Sequence, residues 1–289
     1  MEIERIRHLG QMAFVARPRQ PANAEHFAVC SIAPQFDGTV RLQLPEFRGA
    51  DANGLADSLL ETALSEAARL GGLFCQVILP ADTTAERDES LALIQRHGFR
   101  HLADAVFYES PVGQITAAES TDPAISRKPI LPNADGRLDR EFSDVLQATY
   151  AESFDVPEVH AVRSAERALW GLFAAESPAV GWMYCVQGEP AGLWLAAESL
   201  EGGPLASGPS GSAQPPSWEV VYMGTVRRFR RQGLARCMLQ DLDNAASVAD
   251  VPRLFVAVDE RNSPAQRLYT SAKMKPFARC DVWWKPLVR

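Results

Sequence analysis

The segment Trp218–Gln240 reads WEVVYMGTVRRFRRQGLARCMLQ, and it decides how the rest of the chain is interpreted. Its first nine residues are rich in β-branched and aromatic side chains, which is typical of a strand. Apolar residues then recur at helical spacing after Gly233, namely Leu234, Met238, Leu242, Ala245 and Ala249. A strand, a tight turn and a helix are therefore predicted.

The predicted turn is suited to binding phosphate. A turn that opens a helix presents unpaired backbone N–H groups and the positive end of the helix dipole. Gly233 allows the backbone to approach a ligand closely. The chain has a net charge of −7, yet five arginines crowd this turn, namely Arg227, Arg228, Arg230, Arg231 and Arg236. This concentration of positive charge predicts a pyrophosphate site, although a solvated basic patch is the alternative.

Two motifs resemble those of the GNAT N-acetyltransferase superfamily. Arg230–Ala235 is similar to its Gln/Arg-x-x-Gly-x-Gly/Ala signature, which holds the pyrophosphate of acetyl-coenzyme A. Asn262–Tyr269 resembles the second family motif, Asn-x-x-Ala-x-x-Leu-Tyr, and follows the first in the right order. The nucleotide motifs Gly-x-x-x-x-Gly-Lys-Ser/Thr and Gly-x-Gly-x-x-Gly do not occur. The resemblance implies acetyl-CoA as co-substrate, and no histidine or cysteine cluster predicts a metal.

Strands alternate with helices along the whole chain, which indicates an α/β fold. In the first half, strands are predicted at Met12–Ala16, Phe27–Ile32, Thr39–Leu44, Leu73–Leu79 and Ala105–Glu109, and helices at Gly54–Leu70 and Glu86–His97. In the second half, helices are predicted at Leu138–Phe154, Ser164–Ala175 and Pro264–Ala272, and further strands at Gly181–Val186, Gly192–Ala197, Leu254–Val258 and Cys280–Trp284. The Gly-, Pro- and Ser-rich stretch Glu201–Ser217 is expected to be a flexible loop.

The two halves repeat one another. Gly54–Ala56 matches Gly233–Ala235, and each is followed by a helix, a strand, a second helix and a last strand. We therefore expect two tandem GNAT-like domains, each a mixed, mostly antiparallel sheet flanked by helices. Residues 1–112 are predicted to form a degenerate domain, 113–136 a linker and 137–289 the catalytic domain.

The first domain lacks the residues that the resemblance assigns to catalysis. Val40 stands where the second domain has Glu219, and Ile94 stands near the position of Tyr269. The turn contains Asp51, which would repel pyrophosphate. We expect this domain to support the active half or to shape its substrate groove.

Two residues are candidates for proton transfer. Glu219 lies fourteen residues before Gly233, where histone-acetyltransferase-like members of the family have their base. On a strand it would share a face with Val221, Met223 and Thr225, so that apolar neighbours would raise its pKa. Tyr269 occupies the motif position of the family's general acid, which protonates the leaving thiolate. The alternatives are a solvated or salt-bridged glutamate and a core tyrosine.

The resemblance also places the cofactor. The pyrophosphate would meet backbone N–H groups of the turn, at Arg231, Gln232, Gly233, Leu234, Ala235 and Arg236. The pantetheine arm would pair with the backbone at Met223, Thr225 and Val226, where family members splay two strands apart. The side chain of Asn262 is a further candidate for the arm, while Ser263 would cap the following helix and Pro264 would take its first position.

The predicted function is acetyl-CoA-dependent transfer of an acetyl group to a primary amine by direct attack in a ternary complex. The acceptor would be a small molecule or a peptide. Glu152, Asp155, Glu158 and Glu166 could suit a cationic amine, or they could form a solvated face. The alternative is a non-catalytic acyl-CoA-binding or sensing protein.

The composition gives weaker indications about location and partners. An N-terminus without an apolar core and five scattered cysteines indicate a cytoplasmic protein. The acidic balance argues against nucleic acid, and no apolar run is long enough for a membrane span. The oligomeric state is left open.

Overall fold

The chain forms two compact units. The computed structural model describes residues 2–8, 11–17, 27–48, 53–82, 84–115, 125–174, 179–199 and 216–287. Unit 1 comprises Met1–Leu102 and Asp281–Arg289, and unit 2 comprises Ala103–Cys280. These units reflect compactness alone, and the domain bounds 1–112, 113–136 and 137–289 stay a prediction. Among the described helices, none combines the length and the apolar character required to cross a membrane.

Unit 1 is a mixed sheet with helical cover. Its elements are β1 (Glu2–His8), β2 (Gln11–Arg17), β3 (Phe27–Pro34), β4 (Thr39–Arg48), α1 (Asn53–Arg69), β5 (Phe74–Pro80) and α2 (Ala85–Arg96). Neighbouring strands are antiparallel from β1 to β4, whereas β4 and β5 are parallel because α1 connects them. Leu59, Leu60 and Ala63 of α1 are completely buried against this sheet.

Unit 2 contains the remaining elements and the organising segment. These are β6 (Arg100–Pro111), β7 (Ile125–Pro129), α3 (Arg140–Thr149), α4 (Pro157–His160), α5 (Ala165–Phe173), β8 (Val180–Val186), β9 (Glu189–Ser199), β10 (Ser217–Thr225), α6 (Leu234–Val248), β11 (Arg253–Asp259), α7 (Ser263–Ser271) and β12 (Lys275–Pro286). Strands β6 and β12 each extend into unit 1. The strand order of unit 2 is β6-β11-β10-β9-β8-β7, with β10 and β11 parallel.

Each face of this second sheet has its own apolar core. On one face, α6 buries Leu234, Met238 and Leu242, whose spacing of four residues places them on one side of the helix. On the other face, α3 and α5 bury Phe142, Leu146 and Leu169. The sheet is therefore enclosed between α6 and α7 on one side and α3 and α5 on the other.

The structure confirms the predicted strands and helices and corrects their bounds in several places. Strand β1 was not predicted. The predicted linker contains β7, an edge strand whose exposed Ser126, Arg127 and Pro129 give no apolar alternation. The helix predicted to reach Phe154 ends at Thr149. The turn residues 49–52, part of the linker and the predicted loop Glu201–Ser217 up to residue 215 lie outside the described residues, whereas Pro216 is described and Ser217 begins β10.

Candidate functional site

Strands β10 and β11 separate part of the way along their length. Their parallel pairing covers Ser217 to Glu219 on β10, and Glu219 is matched with Phe255. Beyond this point β10 continues to Thr225 and β11 to Asp259, but in the described part of the chain these sections are not paired with each other. The edge of β10 that faces β11 is therefore open to an extended ligand over Val220–Thr225, which includes Met223.

A β-bulge at Val221 changes the direction of the side chains on β10. The register with β9 shifts between Val220 and Tyr222, so Val221 is the extra residue. Val221 and Tyr222 consequently both pack against the core under α3 and α5, while Met223 packs on the α6 side. The prediction that Glu219 shares its face with Met223 and Thr225 was wrong, because the bulge interrupts the alternation of side chains between the two faces of β10. Glu219 instead shares its face with Val221 and Tyr222.

The turn before α6 has the geometry of an anion site. Gly233 caps the helix in the left-handed region with φ 85°, and Arg231 is also left-handed with φ 63°. A Cβ atom added to Gly233 would meet no atom within 4 Å, so the space beside it is open. The first helical N–H groups to find acceptors are those of Arg236 and Cys237, which both bond to the Gly233 carbonyl. Within the described residues, no hydrogen bond uses the N–H groups from Arg231 to Ala235.

Three of the five arginines near this turn are engaged elsewhere. The Arg230 guanidinium donates to the carbonyl oxygens of Thr149 (3.0 Å), Ala151 (2.7 Å), Glu152 (3.3 Å) and Thr225 (3.1 Å). Arg227 forms an ion pair with Glu152, and Arg228 forms one with Glu189. That the five arginines together concentrate positive charge at an anion stays a prediction, and three of them have partners within the protein.

Arg231 and Arg236 remain beside the turn. Arg236 donates to the Ser271 hydroxyl over 3.2 Å. Gln232 bonds the Arg228 carbonyl over 2.9 Å, which closes the loop on itself. Backbone N–H groups and two arginines, rather than five, are therefore the groups available to a phosphate.

Tyr269 lies on the inner side of α7 and is only 5% exposed. Burial, and then the negative charge of Asp155, raise the pKa of its phenol, so the hydroxyl stays protonated at neutral pH. Its ring lies 5.9 Å from that of Tyr108. The helix cap is Asn262, whose Oδ1 accepts from the Ala265 N–H over 3.2 Å, so the prediction of Ser263 as the cap was wrong.

Asp155 was not among the predicted catalytic residues, although its charge raises the pKa of the Tyr269 phenol. Its Oδ1 accepts the Asp259 N–H over 3.3 Å, and the Val156 N–H reaches Asp259 Oδ2 over 3.5 Å. The pKa of Asp155 is raised to about 6, mainly by desolvation. The hydrogen bond from the Asp259 N–H opposes this rise, and the negative charge of the Asp259 side chain adds to it. The sequence signal was only an acidic residue in a turn, because nothing local shows that this loop folds against β11.

A hydrogen bond and a ring stack order the aromatic residues near Asp155. The hydroxyls of Tyr222 and Thr149 lie 2.6 Å apart, and burial raises the pKa of Tyr222. Tyr150 stacks on His160 with ring centroids 3.7 Å apart. Burial lowers the pKa of His160 to about 4, so this imidazole is neutral at physiological pH. These aromatic side chains therefore bring no charge to the site.

An open pocket of about 980 Å³ lies beside α3. Its walls include Glu141, Pro190 and the segment Val226–Arg228, so it adjoins the candidate cofactor segment at Val226, but they do not include Tyr269 or Glu219. We therefore place the candidate chemistry at the gap between β10 and β11.

Comparisons with known proteins agree with this geometry. The sequence profile described as the Acetyltransferase (GNAT) family matches residues 141–273. This segment is a GNAT domain. It contains α3, both halves of the strand gap, the turn at Gly233 and Tyr269. No curated protein sequence matches the chain.

Solved structures show that the GNAT fold extends over both units. A GCN5-related N-acetyltransferase from Sphaerobacter thermophilus is 16% identical, with a TM-score of 0.57 over 97% of this chain and 81% of its own. A tandem GNAT protein from the clavulanic acid biosynthesis pathway is 12% identical, with a TM-score of 0.57 over 96% of this chain and 83% of its own. A GCN5-related N-acetyltransferase from Kribbella flavida is 12% identical, with a TM-score of 0.52 over 98% and 90%. The chain therefore has the tandem GNAT fold predicted from its repeat.

Proposed function

We propose that this protein is an acetyl-CoA-dependent N-acetyltransferase that transfers acetyl to a primary amine by direct attack in a ternary complex. The proposal rests on two neighbouring features, namely the edge of β10 that is not paired with β11 and the turn at Gly233. This edge of β10 ends at Thr225, and a short connection leads from it to the turn at Gly233, where N–H groups without an acceptor among the described residues begin α6. An extended arm that ends in a pyrophosphate fits both features.

The residues that would hold acetyl-CoA follow from this fit. Backbone N–H groups from Arg231 to Ala235 would bind the pyrophosphate, helped by the helix dipole and by Arg236. Backbone groups from Met223 to Val226 would pair with the pantetheine arm, apart from the Thr225 carbonyl, which accepts from Arg230, and the Val226 N–H, which donates to the Ala191 carbonyl. Asn262 uses its carbonyl oxygen as a helix cap, so its amide N–H₂ is the group that could bind the arm. The thioester supplies the acetyl group when acetyl-CoA is bound.

Tyr269 is the proposed general acid. Its raised pKa keeps the phenolic proton in place until a thiolate, which has a conjugate acid of about pKa 8.5, develops beside it. Glu219 stands at the last paired position before the gap opens, and it stays a candidate base. Val40 and Ile94 of unit 1 stand at the positions that correspond to Glu219 and Tyr269, and both are completely buried apolar side chains. Because they cannot transfer protons, we propose that unit 1 supports the GNAT domain.

Calorimetric titration with acetyl-CoA tests the cofactor site. We expect one site per chain in the wild type and loss of binding in Gly233→Glu, which places bulk and negative charge in the open space beside the turn. Asp135→Glu, at an exposed position away from the site, is the matched control. No binding by the wild type would refute the proposal.

Tyr269→Phe tests catalysis separately from binding. We expect thiol release from acetyl-CoA to slow about 10²-fold while the affinity for acetyl-CoA is preserved. Acceptors are found with a panel of butylamine, benzylamine, spermidine and a lysine-containing peptide. Binding without turnover of any acceptor by the wild type would favour an acyl-CoA-binding protein instead.

A further inference from the structure

We infer that Asp155 is the proton acceptor for the amine in the proposed reaction. The inference rests on the proposed function. It assigns a role to a loop residue outside both sequence motifs.

The position of Asp155 is fixed from two directions. The Asp259 N–H donates to Asp155 Oδ1 over 3.3 Å, and the Val156 N–H donates back to Asp259 Oδ2 over 3.5 Å. This reciprocal pair holds the loop between α3 and α4 against the end of β11. That end belongs to the section of β11 that has separated from β10. The carboxyl group is therefore held at the strand gap.

The two carboxylates of this pair differ in their partners. The Asp259 side chain is 1% exposed and forms an ion pair with Arg261 at 2.6 Å. Arg261 also reaches Glu158 of α4 at 3.0 Å. Within the described residues Asp155 has no ion pair. Asp259 thus has the structural role, whereas Asp155 keeps a carboxylate that a proton or a cationic amine can occupy.

The backbone beside Asp155 is strained. Val156 has φ 35° and ψ 57°, a left-handed conformation that a β-branched residue rarely adopts. The Arg261–Glu158 ion pair and the Val156 N–H contact hold this conformation in place. Strain of this kind persists where the surrounding structure requires it, and it is common at functional sites. The strained residue directly follows Asp155, in a loop where Asp155 and Val156 are both half-buried.

The charged and titratable groups around Asp155 tune it for proton transfer near neutral pH. Asp259 and Arg261 face it from the β11–α7 segment, Tyr269 from α7 and Tyr222 from β10. Glu158 of α4 is paired with Arg261. Desolvation outweighs Arg261 and sets the pKa of Asp155 at about 6. A base with this pKa is ionised at pH 7 and can still accept a proton from an ammonium group.

The proton balance of the step is complete. The acceptor ammonium gives one proton to Asp155, and its nitrogen then bonds to the acetyl carbon while the carbon–sulfur bond breaks. The departing sulfur takes the Tyr269 phenolic proton. The Asp155 carboxylic acid and the acylated nitrogen then each release one proton to water, and Tyr269 regains one proton from water. The net products are the amide, the free thiol and one proton.

The first test follows the Asp155 carboxyl directly by ¹³C NMR titration of the protein without ligand. We expect a carboxyl resonance that titrates near pH 6, is absent in Asp155→Asn and is retained in Asp135→Asn and Glu219→Gln. If every aspartate carboxyl titrates below about pH 4.5, the inference is wrong.

The second test uses the amine that the wild type acetylates fastest in the panel. Asp155→Asn should lower kcat about 10²-fold, change the affinity for acetyl-CoA less than twofold and remove the acid limb near pH 6 from the kcat/KM profile. Asp155→Glu should restore part of kcat. Unchanged kcat and an unchanged acid limb in Asp155→Asn would overturn this inference alone. Failure of the wild type to bind acetyl-CoA would instead overturn the proposed function.

Discussion

Replacing Asp155 with Asn should stabilise the protein at neutral pH while it impairs catalysis. Asn has the same shape and can accept the same Asp259 N–H through its Oδ1, but it carries no charge to desolvate. The pKa of Asp155 rises from 3.8 to about 6 on folding. At roughly 1.36 kcal/mol per pKa unit, the ionised carboxylate costs about 2–3 kcal/mol of stability in the wild type.

The sign of the pH dependence follows from this shift. The folded state binds the proton more tightly than the unfolded state, so the wild type loses stability as the pH rises from about 4 to about 6. The stability difference between Asp155→Asn and wild type should therefore be small near pH 4, widen up to about pH 6.5 and then level off.

Urea denaturation between about pH 4 and pH 7.5 measures this difference. At pH 7.5 the variant should gain about 2–3 kcal/mol, which corresponds to a rise in Tm of roughly 4–12 °C for a unit of this size. Asp135→Asn, at an exposed position, should show no difference at any pH. A variant less stable than the wild type at pH 7.5, or a difference independent of pH, would refute the argument that Asp155 is desolvated.

Two further predictions concern the packing around the candidate site. Arg230→Ala should lower the free energy of unfolding by about 2–4 kcal/mol, because four carbonyl oxygens lose a charged donor. Arg231→Ala should leave stability within about 0.5 kcal/mol and weaken acetyl-CoA binding instead, so that urea denaturation and calorimetry separate the two arginines. Gly224→Ala should destabilise by about 1–3 kcal/mol, because its Cβ would lie 2.7 Å from the Tyr222 hydroxyl and 2.9 Å from Thr149 Cβ. Adding Tyr222→Phe should recover part of that loss in thermal denaturation, and no recovery would show that the Tyr222 ring, whose Cε1 would lie 2.8 Å away, or Thr149 resists the new methyl group rather than the hydroxyl.

The sequence predicted most of the fold because its helices and strands show clear periodicity. The helix α6 is visible in Leu234, Met238 and Leu242, and the structure buries all three. The edge strands β1 and β7 were missed for a physical reason. Strand β7 has a neighbouring strand on one edge only, and the side chains of Ser126 and Arg127 are exposed. These residues therefore give no apolar signal in the sequence, even though they pair with β8.

The candidate site was predictable only where chemistry is local in the chain. The Gly233 turn and Tyr269 belong to short motifs with fixed spacing, and the structure places them in one unit with Glu219. The bulge at Val221 was not predictable, because a bulge depends on the register with β9 rather than on the residue itself. The partners of the arginines were also not predictable. The sequence shows how many arginines lie near the turn, but it does not show that Arg230 caps the end of α3.

Asp155 shows why the remaining part of the site required a structure. Its loop is attached on both sides of the strand gap by contacts between residues far apart in the chain. Arg230 of the turn binds the Ala151 carbonyl 79 positions away, and Arg261 binds Glu158 across 103 positions. These two arginines are neighbours in the chain of the proposed pyrophosphate and pantetheine residues, so we expect the position of the Asp155 loop and occupancy of the strand gap to be energetically linked, and such linkage acts equally in both directions. In the proposed reaction, the carboxylate that would meet the amine is therefore positioned by the same elements that would bind acetyl-CoA, as direct transfer in a ternary complex requires.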